Sequence, residues 1–126
     1  MLDGIQKQEE EAIMVSTRSH SETIKKDLQT CEEFRVLLLA ETAKCLMGGD
    51  LPTGKIVLRE YINGTIGFVA LGEALGKSPK SLMRMLGPRG NPTASNLLDI
   101  IAHLQKVEGG HFEVQFVPGI EESIAA

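Results

Sequence analysis

The amino-acid sequence predicts a single all-α domain, and three observations carry that expectation. Apolar residues recur at helical spacing in several separate stretches, each closed by a glycine pair, an Asn-Gly or a lone glycine. Aromatic residues are only 4% of the chain and there is no Trp, which leaves a β-sandwich or an aromatic base-stacking platform poorly supplied. The 126 residues suffice for one hydrophobic core and leave no room for two independent ones. With 42% hydrophobic and 24% charged residues, the composition is that of a folded globular chain rather than a disordered one.

The elements follow in order. Residues 1–20 read as a loosely ordered arm, because Glu9-Glu10-Glu11 and Ser16-Thr17-Arg18-Ser19 show no sustained periodicity beyond a short helix near Ile13. A helical domain then spans 21–109. Its first helix opens on Thr30-x-x-Glu33, a capping-box pattern, carries Phe34, Leu37, Leu38, Ala43 and Leu46, and ends at Gly48-Gly49. The second follows Asp50-Leu51-Pro52, gathers Val57, Leu58, Tyr61 and Ile62 on one face, and stops at Asn63-Gly64. Asn-Gly is also a hairpin signal, but Ile56-Val57-Leu58 is continuous and Arg59-Glu60 is a polar pair, so the alternation a strand requires is missing.

Thr65 is the expected cap of a third helix, with Phe68, Leu71 and Leu75 along one side, Gly72 at its middle and Gly76 at its end. Ser78 caps a short fourth helix that has Pro79 at its first position and sends Leu82, Met85 and Leu86 inward. Gly87-Pro88-Arg89-Gly90-Asn91-Pro92 is a loop. Thr93 starts the last helix, with Leu97, Leu98, Ile101 and Leu104 as its stripe and Gly109-Gly110 as its stop. Residues 110–126 form a short C-terminal β-strand and tail, since His111 to Val117 alternates strictly before Pro118. A lone strand cannot satisfy its own backbone, so Phe112, Val114 and Phe116 are expected to pair with a second copy or a partner protein.

Charge is unevenly placed. The net −4 resolves into −4 over residues 1–50, +4 over 51–107 and −4 over 108–126. A basic middle between acidic flanks suits one face turned to a polyanion, although a merely solvated face gives the same arithmetic. The longest apolar run, Val36 to Ala40, is far short of the ~20 residues of a membrane span, so neither a span nor a signal peptide is expected. Were Cys31 and Cys45 on one helix they would stand about 21 Å apart, beyond the ~7 Å limit of a disulfide. Reduced, buried, inert thiols and a cytoplasmic location are the expectation. His20, His103 and His111 have no ligand spacing with the cysteines, and no carboxylate pair or nucleophile with a nearby His stands out. No metal, cofactor or enzymatic activity is expected.

The stretch Phe68 to Leu86 carries the functional expectation. Two helices joined by so brief a turn meet steeply, with Gly72 allowing close approach and Leu71, Leu75, Leu82 and Met85 filling the wedge, which is the helix-turn-helix arrangement. The second helix then projects Ser78, Lys80, Ser81 and Arg84 as base-reading candidates, since Arg can donate two hydrogen bonds to the O6 and N7 of guanine. Lys77, Arg89, Asn91 and the helix start at Thr93 are the candidates for phosphate contact.

From Thr65 to Gly109, and less closely back to about Lys26, the chain resembles the lambda-repressor/Cro-like (XRE) helix-turn-helix family, and within it the addiction-module antidote proteins. The resemblance rests on LGEALGKSPKSLMRML at Leu71 to Leu86, GPRGNPT at Gly87 to Thr93, and LLDIIAHL at Leu97 to Leu104. It implies a five-helix DNA-binding domain, usually a homodimer on a near-palindromic operator and often encoded beside a RelE/ParE-like toxin. The function it implies is that of a sequence-specific repressor, with a toxin-binding or scaffolding module that does not touch DNA as the alternative. Two positions depart from the family pattern: Lys77 stands where an apolar residue is normal, and Phe68 where many relatives carry a Gln that braces the DNA backbone.

Overall fold

The computed structural model describes residues 17–119, with side chains from Glu22 onward. Among these residues the chain is all-helical, with six helices and no strand: α1 (Thr17–Thr30), α2 (Glu32–Met47), α3 (Leu51–Gly64), α4 (Phe68–Leu75), α5 (Pro79–Met85) and α6 (Ala94–Glu108). The arm before Thr17 and the tail after Gly119 lie outside the described residues. Helix α3 is central, packed by α1, α2 and α4, while α4 also packs against α5 and α6. Every helix contributes to one core: Leu28, Leu39, Leu58, Tyr61, Ile62, Phe68, Leu71, Leu82, Leu86, Ile100 and Leu104 are buried together.

Local chemistry sets most boundaries. The Asp50 carboxylate accepts from the Thr53 N–H at 3.2 Å, the Ser78 hydroxyl from Ser81 N–H at 3.1 Å, and the Thr93 hydroxyl from Asn96 N–H at 3.1 Å. Each satisfies an amide that the first turn leaves without an intrahelical acceptor. Two caps differ from expectation. Thr30 closes α1 instead of opening α2, and its hydroxyl donates to the Lys26 carbonyl at 2.8 Å, while Cys31 takes the extended N-cap conformation. Thr65 likewise donates backward to the Tyr61 carbonyl at 2.7 Å, and Gly67 begins α4. A threonine capped from behind by its own helix is not free to cap the next one.

Helix α1 has no counterpart in the periodicity, and the boundary at residue 20 falls inside it. Only Ile24 and Leu28 of its described side chains are apolar and turned toward the core, too few to register as a stripe. Tertiary packing supplies what propensity does not. The helix faces also shift: Leu37 (65% exposed) and Leu98 (66%) point outward, while Leu39 and Ile100 take the inward positions. Cys31 is exposed and Cys45 half-buried, so neither is the buried thiol expected, although both are free.

The expected β-strand is corrected. Residues 111–119 form no strand, because no second strand exists among the described residues to make a ladder. Instead the Phe112 N–H donates to Gln105 Oε1 at 2.7 Å and its ring packs half-buried against the core. Phe112 is therefore not an open edge residue, whereas Val114 (83%) and Phe116 (91%) are almost fully exposed.

One polar cluster ties four helices together. Arg35 of α2 donates from Nε to both Glu108 oxygens of α6, at 3.0 and 3.3 Å, and from Nη1 to the Leu28 carbonyl of α1 at 3.1 Å. The buried Tyr61 hydroxyl of α3 donates to the same Glu108 carboxylate. Burial, then the Glu108 hydrogen bond and charge, push the Tyr61 phenol well above its ordinary value. The folded phenol thus keeps its proton after the unfolded one loses it, at a pKa of about 10. Its contribution is complete below that value and is lost as pH rises. Tyr61→Phe should therefore show a shallower fall in urea-denaturation stability than the wild type between about pH 9.5 and 11; parallel curves would contradict the assignment.

Candidate functional site

Helix α5 has seven residues, too few to be stable alone, so its neighbours must hold it. At its start, Gly76 closes α4 in the left-handed region (φ 67°) and the Lys77 N–H returns to the Gly72 carbonyl at 2.9 Å. Gly72 is required there, since a Cβ would overlap the Lys77 carbonyl oxygen. At its end, Gly90 lies so close under the Arg84 and Met85 carbonyls that a Cβ would overlap both. Lys55 of α3, only 6% exposed, then reaches across and donates from Nζ to the carbonyls of Gly87 at 2.9 Å and Gly90 at 2.7 Å. A buried ammonium is tolerable because those carbonyls replace water.

Clamped at both ends, α5 buries Leu82, half-buries Met85, and turns Lys80, Ser81, Met83 and Arg84 to solvent. Lys80 and Arg84 are four residues apart, one above the other on the outermost face. Ser78 is exposed, and its oxygen already serves as the cap, which leaves its O–H to donate outward. In the following loop Arg89, Asn91 and Thr93 are exposed, while Lys77 is only half so. The structure brings Ser78, Lys80, Ser81 and Arg84 onto one short helix and its cap, with Arg89, Asn91 and Thr93 on the loop and helix start that follow.

Chemically this surface offers an ammonium, guanidinium groups, hydroxyls and a carboxamide, all suited to anions and base edges. The basic middle of the chain is thinner than its arithmetic implies, because Lys55 is committed to the interior and Arg59 is half-buried. Sequence reasoning missed Lys55, Arg59, Gly90 and Met83. For Lys55 a signal existed: with Leu58 and Ile62 it shares the i, i+3, i+7 face that α3 buries.

Among the described residues no three His, Cys, Asp or Glu side chains come together as a metal site would need. No helix there is long and apolar enough to cross a membrane. The Cys45 thiol donates to Glu41 Oε1 at 3.8 Å, and desolvation, then the Glu41 and Asp50 charges, push its pKa up, away from a reactive thiolate.

Lys55→Met should remove the clamp while keeping the buried stem, leaving the Gly90 carbonyl without its donor while the Gly87 carbonyl keeps only the Gly90 N–H at 3.0 Å, at a cost of about 1–3 kcal/mol. Gly72→Ala should cost about 1–3 kcal/mol by overpacking the turn. Chemical denaturation checks both, with Ala70→Ser, at an exposed position of the same helix, as the control expected to stay near wild type. Losses no larger than the control's would mean that α5 is held by other contacts.

No family model matches this chain, and no characterised protein or solved structure does either.

Proposed function

We propose that this chain is a sequence-specific DNA-binding repressor of the XRE type, acting as a homodimer in the cytoplasm. The observation that carries the reading is the outward face of α5, where Lys80, Ser81 and Arg84 stand clear of the core on a helix narrow enough for a major groove. In this reading α4 and α5 are the helix-turn-helix, Lys80, Ser81 and Arg84 read base edges with Ser78 beside them, and Lys77, Arg89, Asn91 and Thr93 meet phosphates. Helices α2 to α6 correspond to the five helices that the resemblance implies, and α1 is additional. Two-fold symmetry would place the half-sites about 34 Å apart. The finer reading is the antitoxin of a module with a RelE/ParE-like toxin, regulating its own operon.

The dimer is the proposed home of the C-terminal segment. Val114 and Phe116 lie exposed on backbone with no strand partner, and a symmetric copy of the same segment would supply both hydrogen bonds and cover. The same exposure favours one other reading, a protein-interaction module that engages a toxin or scaffold through this segment and leaves DNA alone. A gel shift against the DNA upstream of its own gene separates the two.

Arg84→Ala should lower affinity for the cognate site by ~1 to 3 kcal/mol and relax preference at one base position. Arg89→Ala should weaken all sequences alike and flatten the salt dependence. Equal losses on cognate and random duplex for both variants would refute the base-reading role. Val114→Ser with Phe116→Ser should shift the sedimenting species toward the monomer; an unchanged dimer would place the interface elsewhere.

A further inference from the structure

Helix α2 carries apolar residues on every side. Phe34, Leu38 and Leu39 serve the core, yet Val36 and Leu37 stand exposed on another side of the helix, with Ala40 half-buried beside them. A helix that is apolar all round is ordinarily covered all round. Here Glu32, Glu33, Val36, Leu37 and Ala40 line a shallow hollow that is open to solvent.

The order of side chains along this face says what covers it. Glu33, Leu37, Ala40 and Lys44 follow one another at spacings of four, three and four residues, which sets them in one line along the outer side of α2. Glu33 and Lys44 are exposed, and neither forms an ion pair among the described residues. The line therefore runs acid, large apolar, small apolar, base over about 16 Å, three turns of helix. Turned end for end, it is its own complement. In an antiparallel second copy related by a two-fold axis between Leu38 and Leu39, Lys44 meets Glu33 and Ala40 meets Leu37, and symmetry makes each contact twice. Leu37 then fills the space above the small Ala40 side chain. A parallel copy would instead set Glu33 on Glu33 and Lys44 on Lys44, both repulsive.

The apolar surface continues past the helix. Val36 and Leu39 share a second hollow with His111 and Phe112, so the segment that bears the exposed Val114 and Phe116 starts beside this face. Helix and segment together extend the surface toward the roughly 800 Å² that each copy of a stable dimer covers.

We propose that the outer face of α2 is a self-association surface on which a second copy of the chain docks antiparallel, its Lys44 on Glu33 and its Ala40 on Leu37, with the reciprocal pair across the axis. The inference rests on the homodimer of the proposed reading, to which it gives a central contact, and not on that reading's DNA contacts.

The test is analytical ultracentrifugation of the full chain at low salt over a range of concentrations. Leu37→Ser, at an exposed position, should weaken the dimer about tenfold or more. Glu33→Lys and Lys44→Glu each bring like charges together at two points, and each should weaken it about tenfold. Glu33→Lys and Lys44→Glu combined in one chain should restore the dimer. Mixing the two single variants should restore it too, since each then meets its complement. Restoration distinguishes contact between copies from damage to α2 itself, because both changes disfavour the helix ends and their combination does so more. A chain that sediments as a monomer, a dimer that Leu37→Ser leaves intact, or charge variants that neither combination nor mixing restores, each overturns the proposal. In the second case the homodimer stands and only its interface lies elsewhere, and failure to bind DNA moves none of these readouts.

Discussion

Lys55 holds the carbonyls of Gly87 and Gly90, and the presentation of α5 depends on that grip. A helix of this length cannot maintain itself, so its position is a property of its anchors. Gly72 supplies the other anchor by letting the turn backbone sit directly on α4. With both ends clamped, the outward side chains are carried on a preordered helix, and a ligand that met them would incur little of the ordering cost that weakens binding by mobile segments. A buried cation is thus used here as a fastener for backbone, not as a charge offered to a partner.

At the opposite end of α3 the cluster of Arg35, Tyr61 and Glu108 does comparable work over a longer sequence distance. It fixes the C-terminal end of α6 against α2 and α3, and through the Leu28 carbonyl it hooks in α1. Ion pairs at such partial burial are held together by their hydrogen bonds as much as by charge. The point at which the C-terminal segment leaves the fold is fixed by the same cluster, since Glu108 is the last residue of α6 and the chain turns back to Gln105 directly after it.

Much of this was legible in the residues. Asp50, Ser78 and Thr93 cap as their side-chain chemistry predicts, and Gly76 and Gly109 adopt the left-handed conformation that ends a helix. The exposure of Lys80, Ser81 and Arg84 follows from helical periodicity once Leu82 is buried. Less legible was α1, whose two core-facing apolar side chains gain their meaning only against α2 and α3. Thr30 and Thr65 were ambiguous for a local reason: each hydroxyl can serve the helix behind it or the helix ahead, and the backbone break decides. The alternating run at His111 to Val117 encodes a tendency to extend, but a strand needs a second strand, and none lies among the described residues.

Local sequence was enough to mark where all five helices read from it stop and where three of them start, at Asp50, Ser78 and Thr93, because capping and glycine conformation are interactions within a few residues. It also determined that a short helix would follow a tight turn and carry basic residues outward. Only the tertiary structure decided which charges face solvent: Lys55 and Arg59 read as part of a basic surface, yet one is buried on backbone carbonyls and the other is half-buried in a cleft. Burial is a property of contacts between residues distant along the chain, such as Lys55 with Gly90, and no local pattern contains them.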